Sequence, residues 1–166
     1  IVVATGAAPF VPPLPGIQEA GVLTSDTLWD LREQPARLVV LGGGPVGCEL
    51  AQAFQRLGSS VTLVERTDRL LVREDAEASE AVMASLRSDG VDLRLQHKAL
   101  RFDVVDGQRQ LVCENLQAHG EVVLPFDLSN LRLGGMSFFV GEAGQVSMLR
   151  EGAGVREEEL THDLQV

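Results

Sequence analysis

At 166 residues, with 45% hydrophobic and 23% charged side chains, the chain has the length and composition of one globular domain with a sizeable core, which excludes wholesale disorder. A net charge of −10, from 24 acidic and 14 basic residues, argues against nucleic acid or an anionic membrane surface as partner. No apolar run approaches the ~20 residues needed to cross a bilayer, so no transmembrane segment is expected.

The chain opens on Ile1-Val2-Val3-Ala4-Thr5-Gly6, a β-branched run without an initiating Met or a basic leader. This suggests a piece of a longer protein entered in mid-strand rather than a signal peptide. Four prolines between Pro9 and Pro15 then exclude a helix and predict an extended connector between structural units. Thr24-Ser25-Asp26 offers caps for a short helix through Leu28, Trp29 and Leu31, ending before Pro35.

From Arg37 the pattern is regular. Leu38-Val39-Val40-Leu41 is a continuous apolar run, as in a strand buried on both faces. Glycines follow at 42, 43, 44 and 47, and then Val46, Leu50, Phe54 and Leu57 recur at helical spacing up to a terminating Gly58. Val61-Thr62-Leu63-Val64 is a second strand ending at Glu65. Residues 75–89 form a second helix with Ala78, Val82 and Leu86 on one face, closed by Gly90, and Val91, Leu93 and Leu95 mark a third strand. Alternating strands and helices call for a parallel sheet. After Lys98 the period falls to two. Residues 102–105, a turn at Asp106-Gly107, residues 110–114 and residues 122–124 then read as a three-stranded antiparallel meander laid on that sheet. The fold class is therefore α/β: a Rossmann-like parallel sheet with flanking helices plus the meander.

Gly42-Gly43-Gly44-Pro45-Val46-Gly47 fits G-x-G-x-x-G. In that motif the first glycine makes the tight turn, the second lets backbone approach a pyrophosphate, and the third permits close helix–strand packing. The pyrophosphate rests on the positive end of the helix, whose first N–H groups lack intrahelical partners. Proline suits the first helical turn. Glycine-rich turns are common, so the weight lies in context: a buried strand before, an amphipathic helix after, and an acid, Glu65, ending the next strand. That acid can accept hydrogen bonds from ribose hydroxyls and repel a 2′-phosphate, favouring NAD(H) over NADP(H). Arg66 and Arg69 follow it directly, as solvated charges or as groups that erode the exclusion. The bland reading of the glycine run is a structural turn without cofactor. For Glu49 the bland reading is a carboxylate on the helix dipole. Cys48 and Cys113 show no redox or zinc spacing and read as buried reduced thiols, consistent with a cytoplasmic protein.

The sequence resembles the class I pyridine nucleotide–disulfide oxidoreductases, which include dihydrolipoamide dehydrogenase and mercuric reductase. The resemblance rests on Ala4-Thr5-Gly6-Ala7-Ala8-Pro9, Thr24-Ser25-Asp26, the stretch from Leu41 to Ala51, and Gly58-Ser59-Ser60-Val61-Thr62-Leu63-Val64-Glu65, in that order. It implies roles residue by residue. Gly42, Gly43, Gly44, Pro45, Val46 and Gly47 form the NAD pyrophosphate loop, with Glu65 on the ribose and Arg66 beside it. Glu49 lies near nicotinamide and flavin, Ala99 packs the adenine, and Ala4, Thr5 and Gly6 contact FAD in the full-length enzyme. Pro45 departs from members that carry an aromatic gate there. The family's FAD motif, its CxxxxC disulfide and its C-terminal dimer domain with a His–Glu pair are not in this sequence, and His97, His119 and His162 match no family role.

The implied organisation is residues 1–35 as the end of an FAD-domain strand, linker and short helix, 36–135 as an NAD(H)-binding domain, and 136–166 as an unrecognised, partly frayed tail. The implied activity is hydride delivery from NAD(P)H to flavin in a homodimeric full-length enzyme, with no catalytic residue and no turnover in this stretch alone. Two rivals remain. One is a Rossmann-like scaffold or interaction module without cofactor, which predicts a blocked phosphate loop; the other is a free-standing small dehydrogenase.

Overall fold

The computed structural model describes residues 9–130, 138–140 and 146–148. Contacts divide the chain into a larger unit, Ile1–Gly134, and a smaller one, Gly135–Val166. In the smaller unit the described residues form an antiparallel pair, β8 (Phe138–Val140) with β9 (Val146–Met148). The expected frayed segment 151–166 lies outside the described residues.

The larger unit runs β1 (Arg37–Leu41), α1 (Pro45–Arg56), β2 (Ser60–Val64), α2 (Ala76–Ser88), β3 (Asp92–Arg94), β4 (His97–Val105), β5 (Gln108–Asn115), β6 (Gly120–Phe126) and β7 (Leu128–Asn130). The four parallel strands lie in the order β3-β2-β1-β7. After β1 the chain builds outward through β2 to β3, then returns by way of the meander to place β7 on the other side of β1. β1 is thus the strand at which the sheet order reverses, and open α/β sheets bind their ligands at the C-terminal end of such a strand.

Three layers follow from the pattern of β1. Leu38 and Val40 face α1 and α2, sharing a core with Cys48, Ala51, Val61, Leu63, Leu70, Met83, Leu86 and Val91. Val39 faces the other way, toward the meander, in a second core with Val64, Phe102, Leu111, Cys113, Leu124 and Phe126. Phe102 and Phe126 meet edge to face at 5.9 Å between centroids. The apolar run is continuous because both faces are covered. The order β4-β5-β6 is the expected meander, and its first turn is a two-residue hairpin at Asp106-Gly107, both with positive φ.

Both helices end as the glycines imply. Gly58 and Ser59 donate N–H bonds to Gln55 O and Phe54 O, and Gly90 and Val91 repeat the pattern on Arg87 O and Leu86 O. The helices are tied at their C-terminal halves, where Asp89 accepts from Gln52 Nε2 (2.6 Å) and Arg56 Nε (2.9 Å). Those bonds hold the Asp89 carboxyl below its ordinary range.

Two expectations need correction. The buried stripe of α1 is Gly47, Cys48 and Ala51, whereas Leu57 is 68% exposed. Small residues win because they let the helix lie close on the sheet. On α2 Ala78 is exposed and its neighbour Ser79 is fully buried, since its hydroxyl donates to Leu70 O at 2.6 Å. Ile17 and Ala20 are buried in the meander core, and Phe102 N–H donates to Pro15 O at 2.8 Å. The short helix is a single 3₁₀ turn, Leu28–Asp30.

Candidate functional site

The glycine run leaves the C-terminal end of β1. Gly42, at φ +108°, makes a bend that a side chain would strain, and its N–H still donates to Val64 O at 2.8 Å. A Cβ on Gly47 would collide with the Gly42 carbonyl oxygen, so α1 can pack this close to the turn only with glycine there. Gly43 is bound on every side. Its N–H donates to Glu65 Oε2 at 2.6 Å, and its carbonyl receives Leu71 N–H at 2.8 Å and the Cys48 thiol at 3.6 Å.

Gly44 differs. It is the N-cap of α1 in extended conformation, and a Cβ there would meet nothing within 4 Å. Pro45 follows at the first helical position. Among the described residues, no acceptor engages the N–H groups of Gly44, Val46 and Gly47. Three free amides at the positive end of a helix of 12 residues, beside an empty Cβ position, make a cradle suited to a pyrophosphate.

Glu65 stands one residue beyond β2, half-buried. Its Oε1 accepts from Thr67 N–H at 2.9 Å and lies 3.0 Å from Thr67 Oγ1, while Oε2 holds Gly43. A carboxylate offers about four acceptor directions, so capacity for hydroxyl donors remains. Arg66 is exposed. Arg69 is half-buried and turned into its own loop, with Nη2 on Val72 O at 3.0 Å and Nη1 buried without a partner among the described residues.

Glu49 is exposed and lines a cleft of about 400 Å³ with Pro45, Cys48, Gln52, Leu71 and Glu74. Cys48 and Cys113 are free and buried, as expected. Burial, reinforced by the charges of Glu65 and Glu49, pushes the Cys48 thiol up to about 11; burial pushes Cys113 up to about 12. Neither is a poised nucleophile. Ala99 is half-buried against the meander core beside a β-bulge between Ala99 and Arg101. Ala4, Thr5, Gly6 and His162 lie outside the described residues.

Two residues gain importance only once the chain is folded. Thr67 was not singled out by any motif, although its place two residues past the strand-end acid was a signal. His97 matched no role, yet it is 7% exposed, with N–H on Glu65 O at 3.0 Å, Nδ1 2.6 Å from Leu95 O, and a buried Nε2 without partner among the described residues. Among the described residues no group of three potential ligands could hold a metal, and no helix is long and apolar enough to cross a membrane.

The family profile of the pyridine nucleotide-disulphide oxidoreductases matches residues 1–157. The mercuric reductase of Bacillus cereus is 46% identical over 91 residues, 55% of this chain and 14% of that protein. The mercuric reductase of Shigella flexneri is 40% identical over 120 residues, 72% and 21%. Among solved structures, the HOCl-induced flavoprotein disulfide reductase RclA of Escherichia coli in its Cu(II) complex superposes with a TM-score of 0.70 at 32% identity, covering 86% of this chain and 34% of that one. A water-forming NADH oxidase of Lactobacillus brevis bound to NADH gives 0.67 at 26% identity, covering 78% and 29%. The chain thus spans about a third or less of the length of each of these relatives. With its order of motifs, its layered fold and this match over most of its length, the chain belongs to the class I pyridine nucleotide-disulphide oxidoreductase family.

Proposed function

We propose that residues 36–135 are the NAD(H)-binding domain of an FAD-dependent oxidoreductase, and that residues 1–35 are the end of its FAD domain with the linker. The observation that carries the reading is the cradle at the start of α1, three unpaired amides around an open Gly44, with Glu65 one hydrogen bond away through Gly43. Gly44, Val46 and Gly47 would hold the pyrophosphate by backbone N–H, and Glu65 would accept from the adenosine ribose hydroxyls. Ala99 would pack the adenine and Glu49 would lie by the nicotinamide. Bound NAD(P)H supplies a hydride, taken up by the flavin of the full-length enzyme. This chain's part is to bind and orient the donor, while Ala4, Thr5 and Gly6 touch FAD. The full-length enzyme is a cytoplasmic homodimer in this reading, and the chain by itself turns nothing over.

The preference is for NAD(H), because a 2′-phosphate would meet the Glu65 charge; the NADH-bound relative supports it. A scaffold without cofactor would have a filled loop, and the open space at Gly44 speaks against that. Isothermal titration of the chain with NADH tests the proposal. Micromolar to sub-millimolar binding is expected, and no heat at millimolar ligand overturns it.

A further inference from the structure

We infer that Thr67 is a positioning residue that sets the Glu65 carboxylate for nucleotide choice; the inference rests on the function proposed above. Three of the contacts that fix Glu65 come from two residues. Gly43 N–H takes Oε2, and Thr67 presents both its N–H and its hydroxyl to Oε1. Thr67 is itself anchored. Its carbonyl receives Gln96 N–H at 2.9 Å, and Gln96 holds a positive φ of 54° to make that bond. The loop after β2 is thereby tied to the turn before β4, and the Glu65 side chain is held between the glycine loop and Thr67.

The hydroxyl has one proton and two acceptors, Glu65 Oε1 at 3.0 Å and Arg69 O at 2.8 Å. When the proton lies toward Glu65 the carboxylate is held by three donors. Oε1 then has both acceptor directions taken by Thr67 and Oε2 one by Gly43, so a ribose hydroxyl donates to the direction left open on Oε2 while Thr67 keeps its hold. Thr67 therefore fixes the carboxylate with one acceptor direction left for a ligand that brings donors. A 2′-phosphate brings only acceptors and lone pairs. It meets a carboxylate that Thr67 prevents from swinging aside, with the exposed Arg66 as the sole compensation among the flanking arginines, since Arg69 is engaged with Val72 O.

The test compares Thr67→Val, which keeps the shape and the N–H but removes the hydroxyl, with Thr67→Ser, which keeps the hydroxyl. Dissociation constants for NADH and NADPH are measured by titration on the whole chain, and thermal unfolding is recorded alongside. Thr67→Val is expected to weaken NADH about tenfold, because the carboxylate is no longer held in the pose that meets the ribose, and NADPH less than twofold. Thr67→Ser restores the wild-type ratio. An unchanged NADH/NADPH ratio in Thr67→Val, or a serine variant as impaired as valine, overturns the role of Thr67 alone. A wild-type chain that binds neither nucleotide overturns the functional reading, and this inference with it.

Discussion

Asp127 holds Arg37 at two points, 90 residues back in the chain. Its Oδ2 accepts the Arg37 backbone N–H at 2.9 Å and its Oδ1 the guanidinium Nη2 at 2.6 Å, while its own N–H returns a bond to Arg37 O at 3.0 Å. The pair closes the sheet where β1 begins and β6 hands over to β7. The Arg37 side chain, as hydrogen-bond donor, holds the Asp127 carboxyl below its ordinary value. A depressed folded-state value means that this stabilisation is complete above the unfolded carboxylate range, about pH 4, and is lost as pH falls through the folded value. Side-chain exposures of 40% and 39% leave the pair screened by solvent and its contribution small. Asp127→Asn should therefore lower Tm slightly at pH 7 and flatten its fall below pH 4; an acid limb identical to wild type would count against the pair.

Gly44 and Gly47 separate binding from folding. At Gly47 a methyl group runs into the Gly42 carbonyl, so Gly47→Ala should cost about 1–3 kcal/mol in denaturant unfolding. At Gly44 a methyl group meets nothing and the φ of −76° is ordinary, so Gly44→Ala should stay within about 0.5 kcal/mol of wild type. It should nonetheless reduce NADH affinity about tenfold or more, by filling the cradle. Loss of stability without loss of binding at Gly44 would reverse the assignment.

Glu65→Ala should weaken NADH more than NADPH, because only the first has a 2′-hydroxyl to donate. It should also loosen the glycine loop, seen as faster hydrogen exchange at Gly43, whose amide it holds. Equal losses for both nucleotides would undo the NAD(H) preference.

The thiols give an alkaline signature. Cys48 and Cys113 are pushed from an ordinary 9.0 to about 11 and about 12. A folded value raised above the unfolded one means that the stabilisation is whole below about pH 9 and is lost as pH rises through the folded values. Tm should fall between about pH 9 and 12, less so in Cys113→Ala or Cys48→Ala. Both thiols should resist Ellman's reagent at pH 8 until denaturant is added; prompt reaction in the folded chain would contradict their burial.

The unit from β1 to β2 was legible in sequence because its signals are local: a run buried on both faces, glycines each tied to a geometric need, and an acid at the strand end. The phase of the helices was less so. Leu57 and Ala78 fit an apolar stripe on paper, but the sheet decides which side is covered, and Ser79 enters the core because Leu70 O awaits its hydroxyl. The burial of Ile17 and Ala20 depends on Phe102, far along the chain, and no local pattern reports it. Motifs name Glu65 but not Thr67 or His97, since a partner's value arises only once the loops are folded together.

Gly43 has spent its amide on Glu65 and its carbonyl on Leu71 before any nucleotide arrives. The receptor is consequently rigid in advance, and an incoming dinucleotide has no disordered loop to tame. Stopped-flow mixing should then give a single exponential whose rate climbs in proportion to concentration without a plateau, and crystals grown with and without nucleotide should superpose at residues 42–47.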